Sequence, residues 1–314
     1  MLDEFWKTIG STLAGQWVTQ VFAPAFVFWA GGLLTLVWRY GWATVEKQWF
    51  ALPPGIQIAL LVAGLIGIAV SAAVVQRLGD PCLRLLEGYW PDRLGWLRRR
   101  LIDRQNRKLD EAKTTSITLL QKGLPNLTAA EEQTFVRADD RLRHAPANSR
   151  QRMPTALGNI LRASERRPRD RYGLETLVCW PRLWVLLPEQ ARKDVGAARA
   201  GLDEAVRVFI WGLLFVVLSL VAWWAALVGV IVAFYAYRWS LSQAEAYSNL
   251  LESVFDLYRF ALYETLRWPL PEGSEDEKVE GERLSYYLHR GFTPQAVLFN
   301  HPKHDVARGQ APTI

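Results

Sequence analysis

Three stretches of this chain carry no charge, and they set its organisation. Residues 21–38 and 58–75 are each 18 residues long. At about 1.5 Å per residue, either crosses most of a hydrocarbon core of about 30 Å. Trp38, Tyr40 and Trp42 cluster at the far end of the first run, with Arg39 as its stop. Asp3 and Glu4 spoil the basic start of a signal peptide, and no small-residue cleavage site stands out before the second run. The first run therefore reads as an uncleaved span. In the second run Ala59, Ala63, Gly67 and Ser71 recur every four residues, a stripe of small side chains that predicts close packing by another helix.

The third run, 209–237, has 29 residues without charge. As one helix it would be about 43 Å long and would bury Trp223 and Trp224 near the midplane, where tryptophan is not preferred. A hairpin turning at Trp223–Trp224 has short arms and lacks the usual Gly, Pro or Asn in its turn. The arms reach sufficient length if they extend over 206–241 with Arg207 and Arg238 snorkelling. The hairpin is the expected form.

Between and after these runs the periodicity is helical, without strand-like alternation or internal repeats. Residues 83–113 place Leu, Ile and Trp against a heavy arginine load, with a helix start at Pro91-Asp92. Thr128 and Glu131 form a capping-box pattern that predicts a helix to about Arg143. A further helix is expected over 154–166, stopping before Pro168, and another from Glu189 directly into the third span. Beyond the hairpin, Tyr247, Leu250, Leu251, Val254, Phe255, Tyr258 and Leu262 line one face of a rod continuous with the fourth span. That face is expected to be a homo-oligomer interface.

Charge then orients the chain. Residues 76–207 hold 26 of the 37 Lys and Arg against 17 acidic residues, whereas 39–55 hold only Arg39 and Lys47 as basic residues. The positive-inside rule places the central region, and with it both termini, in the cytoplasm. The expected architecture is an all-α integral membrane protein of the bacterial inner membrane, with four transmembrane helices in two hairpins and a helical cytoplasmic domain. Its parts are an amphipathic N-terminal segment (1–20), hairpin 1 (21–75), a basic helical domain (76–205), hairpin 2 (206–241), an amphipathic helix (242–271) and an acidic helix with a disordered tail (272–314).

Candidate chemistry is sparse. No G-x-x-x-x-G-K-[ST], G-x-G-x-x-G, G-x-S-x-G or H-E-x-x-H occurs, so the chain reads as a non-enzyme without cofactor. Cys82 and Cys179 are isolated, and His301 and His304 with Asp305 flank Pro302 in the tail, so no disulfide framework or metal site is expected. Gly158-Asn159 reads as a helix crossing. Two basic clusters remain. Arg98, Arg99, Arg100, Arg104, Arg107 and Lys108 suit anionic lipid headgroups, or serve topology alone as a solvated face. Arg162, Arg166, Arg167, Arg169 and Arg171 suit a phosphate-bearing ligand, or form a solvated helix end. Interspersed Asp and Glu speak against nucleic acid.

The run PTALGNILRASERRPRDRYGLETLVCWPRLWVLLP, residues 154–188, resembles the P-T-x-L-G-N-x-L-R-A-x-E…R-Y-G-L…W-P-R-L signature of a family of bacterial multi-pass membrane proteins. YSNLLESVFDLYRFALYETLRWPLP, residues 247–271, is similar to the same family's post-membrane segment. The resemblance implies four spans and brings no activity.

Two function readings follow. The first is a non-enzymatic, oligomeric membrane protein whose cytoplasmic helices gate an ion-conducting pore. The second is a membrane-anchored scaffold or sensor whose arginines hold anionic lipid, a phosphorylated ligand or a cytoplasmic protein. The charge-free runs lack the ionisable groups that proton relays and ion-coupled transporters carry.

Overall fold

A computed structural model describes residues 23–293 and 296–299. The expected N-terminal segment 1–20 and the histidines at 301 and 304 lie outside them. Among the described residues all regular structure is helical, with no strand. The helices are α1 (Ala23–Tyr40), α2 (Trp42–Phe50), α3 (Pro54–Glu87), α4 (Gly95–Lys122), α5 (Ala129–Arg143), α6 (Ala156–Tyr172), α7 (Thr176–Leu186), α8 (Glu189–Val217), α9 (Trp224–Thr265) and α10 (Ser274–Arg290). Two helical stretches are long and apolar enough to cross a membrane, one within Pro54–Lys122 and the other Trp224–Thr265. The described residues pack as two compact units, the first from 23–162 and 196–248, the second from 163–195 and the described part of 249–299.

The first unit is organised by close helix approach. A Cβ on Gly212 would stand 2.8 Å from the backbone N of Ala233, and one on Gly229 would stand 2.7 Å from the backbone N of Val216. Residue numbers thus rise along α8 as they fall along α9, so the two helices run antiparallel. A 3₁₀ turn at Leu218–Leu220 closes the hairpin. It replaces the missing Gly or Pro, and Trp223 beyond it is 71% exposed. Stepping this register back sets Arg207 opposite Arg238.

α1 lies parallel to α8. Phe28 meets Trp211 with ring centroids 4.9 Å apart, and a Cβ on Gly31 would fall 2.5 Å from the Phe215 ring edge. α3 runs back against α1, where Trp29 Nε1 donates to Ser71 Oγ at 3.0 Å. These registers place Ala23 about level with both Arg207 and Arg77. Three arginines on three helices therefore share one end of the bundle, and Trp38, Tyr40, Trp42 and Trp223 share the other. The 18 residues of α1 between the two levels span about 27 Å. The core of this bundle uses small side chains, Ala25, Ala72, Ala225, Ala233 and Ala236 among them, while large apolar side chains such as Leu33, Leu61, Ile66 and Phe234 face outward.

At the basic end, α3 stops at Gly88, whose φ of +100° is left-handed and suits glycine. Thr155 Oγ1 donates to the Glu87 carbonyl at 3.0 Å and accepts from Gly158 N at 3.0 Å. A Cβ on Gly158 would lie 2.0 Å from that same carbonyl oxygen. Asn159 closes the preceding turn, accepting from Met153 N at 2.7 Å and donating to the Met153 carbonyl at 3.1 Å. The P-T-x-L-G-N run is thus a lock on the end of α3.

α4 and α5 form a second hairpin. The capping box is present in both halves at Thr128 and Glu131. The Lys122 ammonium, with the Thr128 backbone and hydroxyl, holds the Glu131 carboxyl down to about 2.

The second unit is built from the end of α6, α7, the end of α9, and α10. The helix expected to stop before Pro168 continues through it to Tyr172. The Pro168 ring is fully buried, so packing outweighs the lost backbone bond. Gly173 then turns the chain at φ +71°, where a Cβ would stand 2.0 Å from the Lys278 carbonyl oxygen.

Gly229→Val should lower the melting temperature of the detergent-solubilised protein by the equivalent of about 3 kcal/mol, the upper range of overpacking. Gly64→Ala, where a Cβ meets nothing within 4 Å, should leave it unchanged or raise it. Equal effects of the two substitutions would contradict the α8–α9 register.

Candidate functional site

α4 begins seven residues after α3 ends, with the short turn Asp92–Leu94 between them. Its buried face is narrow: Leu109, Ala112 and Ser116 pack inward. Arg152 pins the helix from the side, donating to Asn106 Oδ1 at 3.0 Å and lying 3.5 Å from Asp110. Leu97, Leu101, Ile102, Gln105 and Asn106 are half-buried, and the charged positions of the first two thirds of α4 face solvent. Arg98, Arg99, Arg100, Arg104, Arg107 and Lys108 are all exposed. None of the six enters an ion pair among the described residues, although Asp103 and Glu111 lie on the same helix.

Arg100, Arg104, Arg107 and Lys108, with Trp96 at one end and Glu111 at the other, line a shallow furrow of about 670 Å³. Positions 96, 100, 104, 107 and 111 are three or four apart, so the furrow follows one stripe of the helix. Trp96 is 60% exposed, and Tyr89 and Leu94 before it are also exposed. Aromatic and basic side chains are therefore presented together just past the end of α3.

The second arginine cluster is placed differently. Glu252, on α9, is buried, and Arg167 and Arg171 both donate to it, Arg171 at 2.7 Å. Tyr172 donates to Asp256 at 2.5 Å, and Arg169 to Glu175 at 2.8 Å. The Arg259 guanidinium stacks 4.3 Å from the Tyr172 ring and pairs with Glu277 of α10. Three of the five arginines expected to offer phosphate sites thus serve carboxylates of the same chain; Arg162 and Arg166 are half-buried on α6. Removing one partner from a buried pair such as Arg167–Glu252 costs about 3–5 kcal/mol, whereas the pairs of the half-exposed Arg169 and Arg171 contribute less.

The apolar stripe of the rod is also occupied from within. Leu251, Val254, Phe255 and Leu262 are buried in the single chain, and Phe255 stacks on Trp180 of α7 with centroids 6.1 Å apart. Tyr247, Leu250 and Tyr258 are half-buried. These residues leave little free apolar surface for a second copy. On α3, by contrast, Ala59 and Ala63 are exposed, and a Cβ on Gly67 would meet nothing within 4 Å. Only Ser71 of that stripe has a partner, Trp29.

Cys179 is fully buried beside Ser285, Sγ to Oγ 3.7 Å, and Ser285 in turn accepts from Glu175 N and donates to the Gly173 carbonyl. This cluster was not legible in the sequence, because its members are over 100 residues apart. It ties the Gly173 turn to α10. No group of three His, Cys, Asp or Glu side chains able to hold a metal occurs among the described residues. Compared with protein families, curated proteins and solved structures, the chain matches none.

Burial, offset in part by Ser285, pushes the Cys179 thiol up to about 11. The folded state favours the thiol, so this contribution to stability is complete below the ordinary value of 9.0 and is lost as pH rises through about 11. At pH 8 only about one Cys179 in a thousand is thiolate. Native protein should therefore resist iodoacetamide at Cys179, and unfolding should restore labelling, as read by peptide mass spectrometry. Rapid native labelling would contradict the buried placement.

Proposed function

We propose that this chain is a non-enzymatic, four-span protein of the bacterial inner membrane that docks anionic lipid on its cytoplasmic side through α4. The observation that carries this reading is the row of six unpaired, exposed cations on α4, set beside exposed Trp96 about 20 residues past the charge-free run that ends at Val75. A basic stretch close to a bilayer surface gains about 1 kcal/mol per residue from anionic headgroups. Trp96, Tyr89 and Leu94 suit the interfacial zone, where amphipathic rings sit at headgroup level.

In this reading the bundle of α1, α3, α8 and the first part of α9 crosses the membrane as two hairpins. Arg77, Arg207 and Arg238 mark the cytoplasmic boundary, and Trp38, Tyr40, Trp42 and Trp223 the opposite one. Outward-facing Leu, Ile and Phe then meet lipid instead of water. Both termini and the second unit lie in the cytoplasm, where the remaining surface is open to a protein partner. Membership of the multi-pass family that the sequence resembles belongs to the same proposal.

A second reading is an oligomer that conducts ions. It rests on the row of exposed Ala59 and Ala63 and half-buried Gly67 of α3, where small side chains permit a second copy to approach closely. The rod face at Leu251 and Phe255 lends it no support.

The test uses full-length protein in nanodiscs with an environment-sensitive fluorophore on Trp96→Cys. Emission should shift to the blue in anionic relative to neutral discs at low salt, and the shift should shrink with added salt. Arg98, Arg99 and Arg100 changed together to Gln should reduce the shift at least twofold. Identical spectra in both lipids would overturn the docking reading.

A further inference from the structure

A furrow of about 580 Å³ runs along the bundle between α1 and α9, with α8 as its floor. Its walls are Val27 and Leu34 of α1 and Val228 and Val232 of α9, and its floor is Trp211 and Phe215. No lining side chain is ionisable or carries a hydroxyl. The furrow exists because α1 seats on the Phe215 ring through Gly31, while α9 seats on Gly212. Gly212 and Phe215 are neighbours on α8 and both line the furrow, so α1 and α9 flank one stripe of that helix. From the level of Ala23 to that of Leu34 and Trp224 it extends about 17 Å. Its volume lies within the range of ligand pockets, about 300–1,000 Å³.

One end of this apolar furrow carries positive charge. Val208 lines the wall at that end, and Arg207 precedes it by one residue and Trp211 by one turn. Arg207 Nε is closed off from water and has no hydrogen-bond partner. Such atoms are rare and call for an unseen partner. Arg238, opposite Arg207 in the α8–α9 register, is exposed and lines a separate cleft with Lys108, Asn159 and Glu245. The other end reaches Trp224 and the exposed Trp223, and the cation of α1 at that end, Arg39, lies five residues beyond Leu34.

We infer that the furrow binds one molecule of an anionic phospholipid, its acyl chain lying along Phe215 and its phosphate at Arg207. An acyl chain matches a long, narrow, wholly apolar channel that opens sideways. A guanidinium matches a phosphate oxygen with charge-assisted hydrogen bonds, and it supplies the partner that Arg207 Nε lacks. The inference rests on the proposal that the bundle lies in a bilayer. It concerns a single lipid held between helices, separate from the surface contact of α4.

The experiment melts full-length protein in a neutral maltoside detergent with added phosphatidylglycerol, phosphatidylcholine or inorganic phosphate. At saturating lipid, phosphatidylglycerol should raise the melting temperature by about 5 °C, and phosphatidylcholine by less than half of that. Inorganic phosphate should give no shift. Arg207→Gln should abolish the difference between the two lipids. Val228→Trp, which fills the furrow from an exposed position, should abolish both shifts, and Val27→Trp on the opposite wall provides the same test should the first variant fold poorly. The triple Gln variant at Arg98, Arg99 and Arg100 should keep the full shift, which separates this site from α4. Equal shifts with the two lipids, a full shift with phosphate alone, or an undiminished shift in both Trp variants would overturn the inference. So would loss of the shift in the triple variant alone.

Discussion

The contact at Gly212 and Gly229 is the constraint on which the first unit depends. With no side chain at either position, α8 and α9 approach until backbone meets backbone, 2.7 Å from an imagined Cβ to the opposing carbonyl oxygen. That approach fixes the register, and the register puts Arg207 level with Arg238. The same floor helix receives α1 at Phe215, which carries Ala23 to that level, and the Trp29–Ser71 hydrogen bond carries Arg77 there through α3. A plane of three arginines at one end, with tryptophans at the other, is thus a consequence of where glycines permit close packing.

The two basic clusters show why charge counted along a sequence does not say what it does. Both are dense in arginine. Arg167 and Arg171 fold against Glu252 and Asp256, and their guanidiniums neutralise a buried carboxylate that would otherwise be expensive. The α4 cluster pairs with no carboxylate among the described residues, although Asp103 and Glu111 lie on the same helix. Its charge remains available. Arg167 lies inside the second unit and Arg171 pairs at its surface, whereas the α4 cluster faces outward unpaired.

Local chemistry made several elements legible. The Thr128–Glu131 capping box, the Glu189 start of α8, and the unbroken rod of α9 all rest on interactions within a few residues, and each element stands where its pattern places it. The hairpin between α8 and α9 was legible from the length of a charge-free run, although its 3₁₀ turn was not. What the sequence hid is long-range. Pro168 continues a helix because a core forms around its ring. Phe255 is covered by Trp180, a partner 75 positions away, so its stripe turns inward. Gly173 and Gly281 touch through bare backbone, and neither carries a pattern that announces it.

The account stands most directly on the sidedness of the bundle. With Cys82 and Cys179 changed to Ser, Leu220→Cys sits at the α8–α9 turn, where Leu220 is 88% exposed, and Glu275→Cys sits at the start of α10. An impermeant maleimide applied to intact cells should label the cysteine at 220 and spare that at 275, which should react only after permeabilisation. Labelling of both from outside, or of 275 alone, would contradict a membrane hairpin with the basic ends inside.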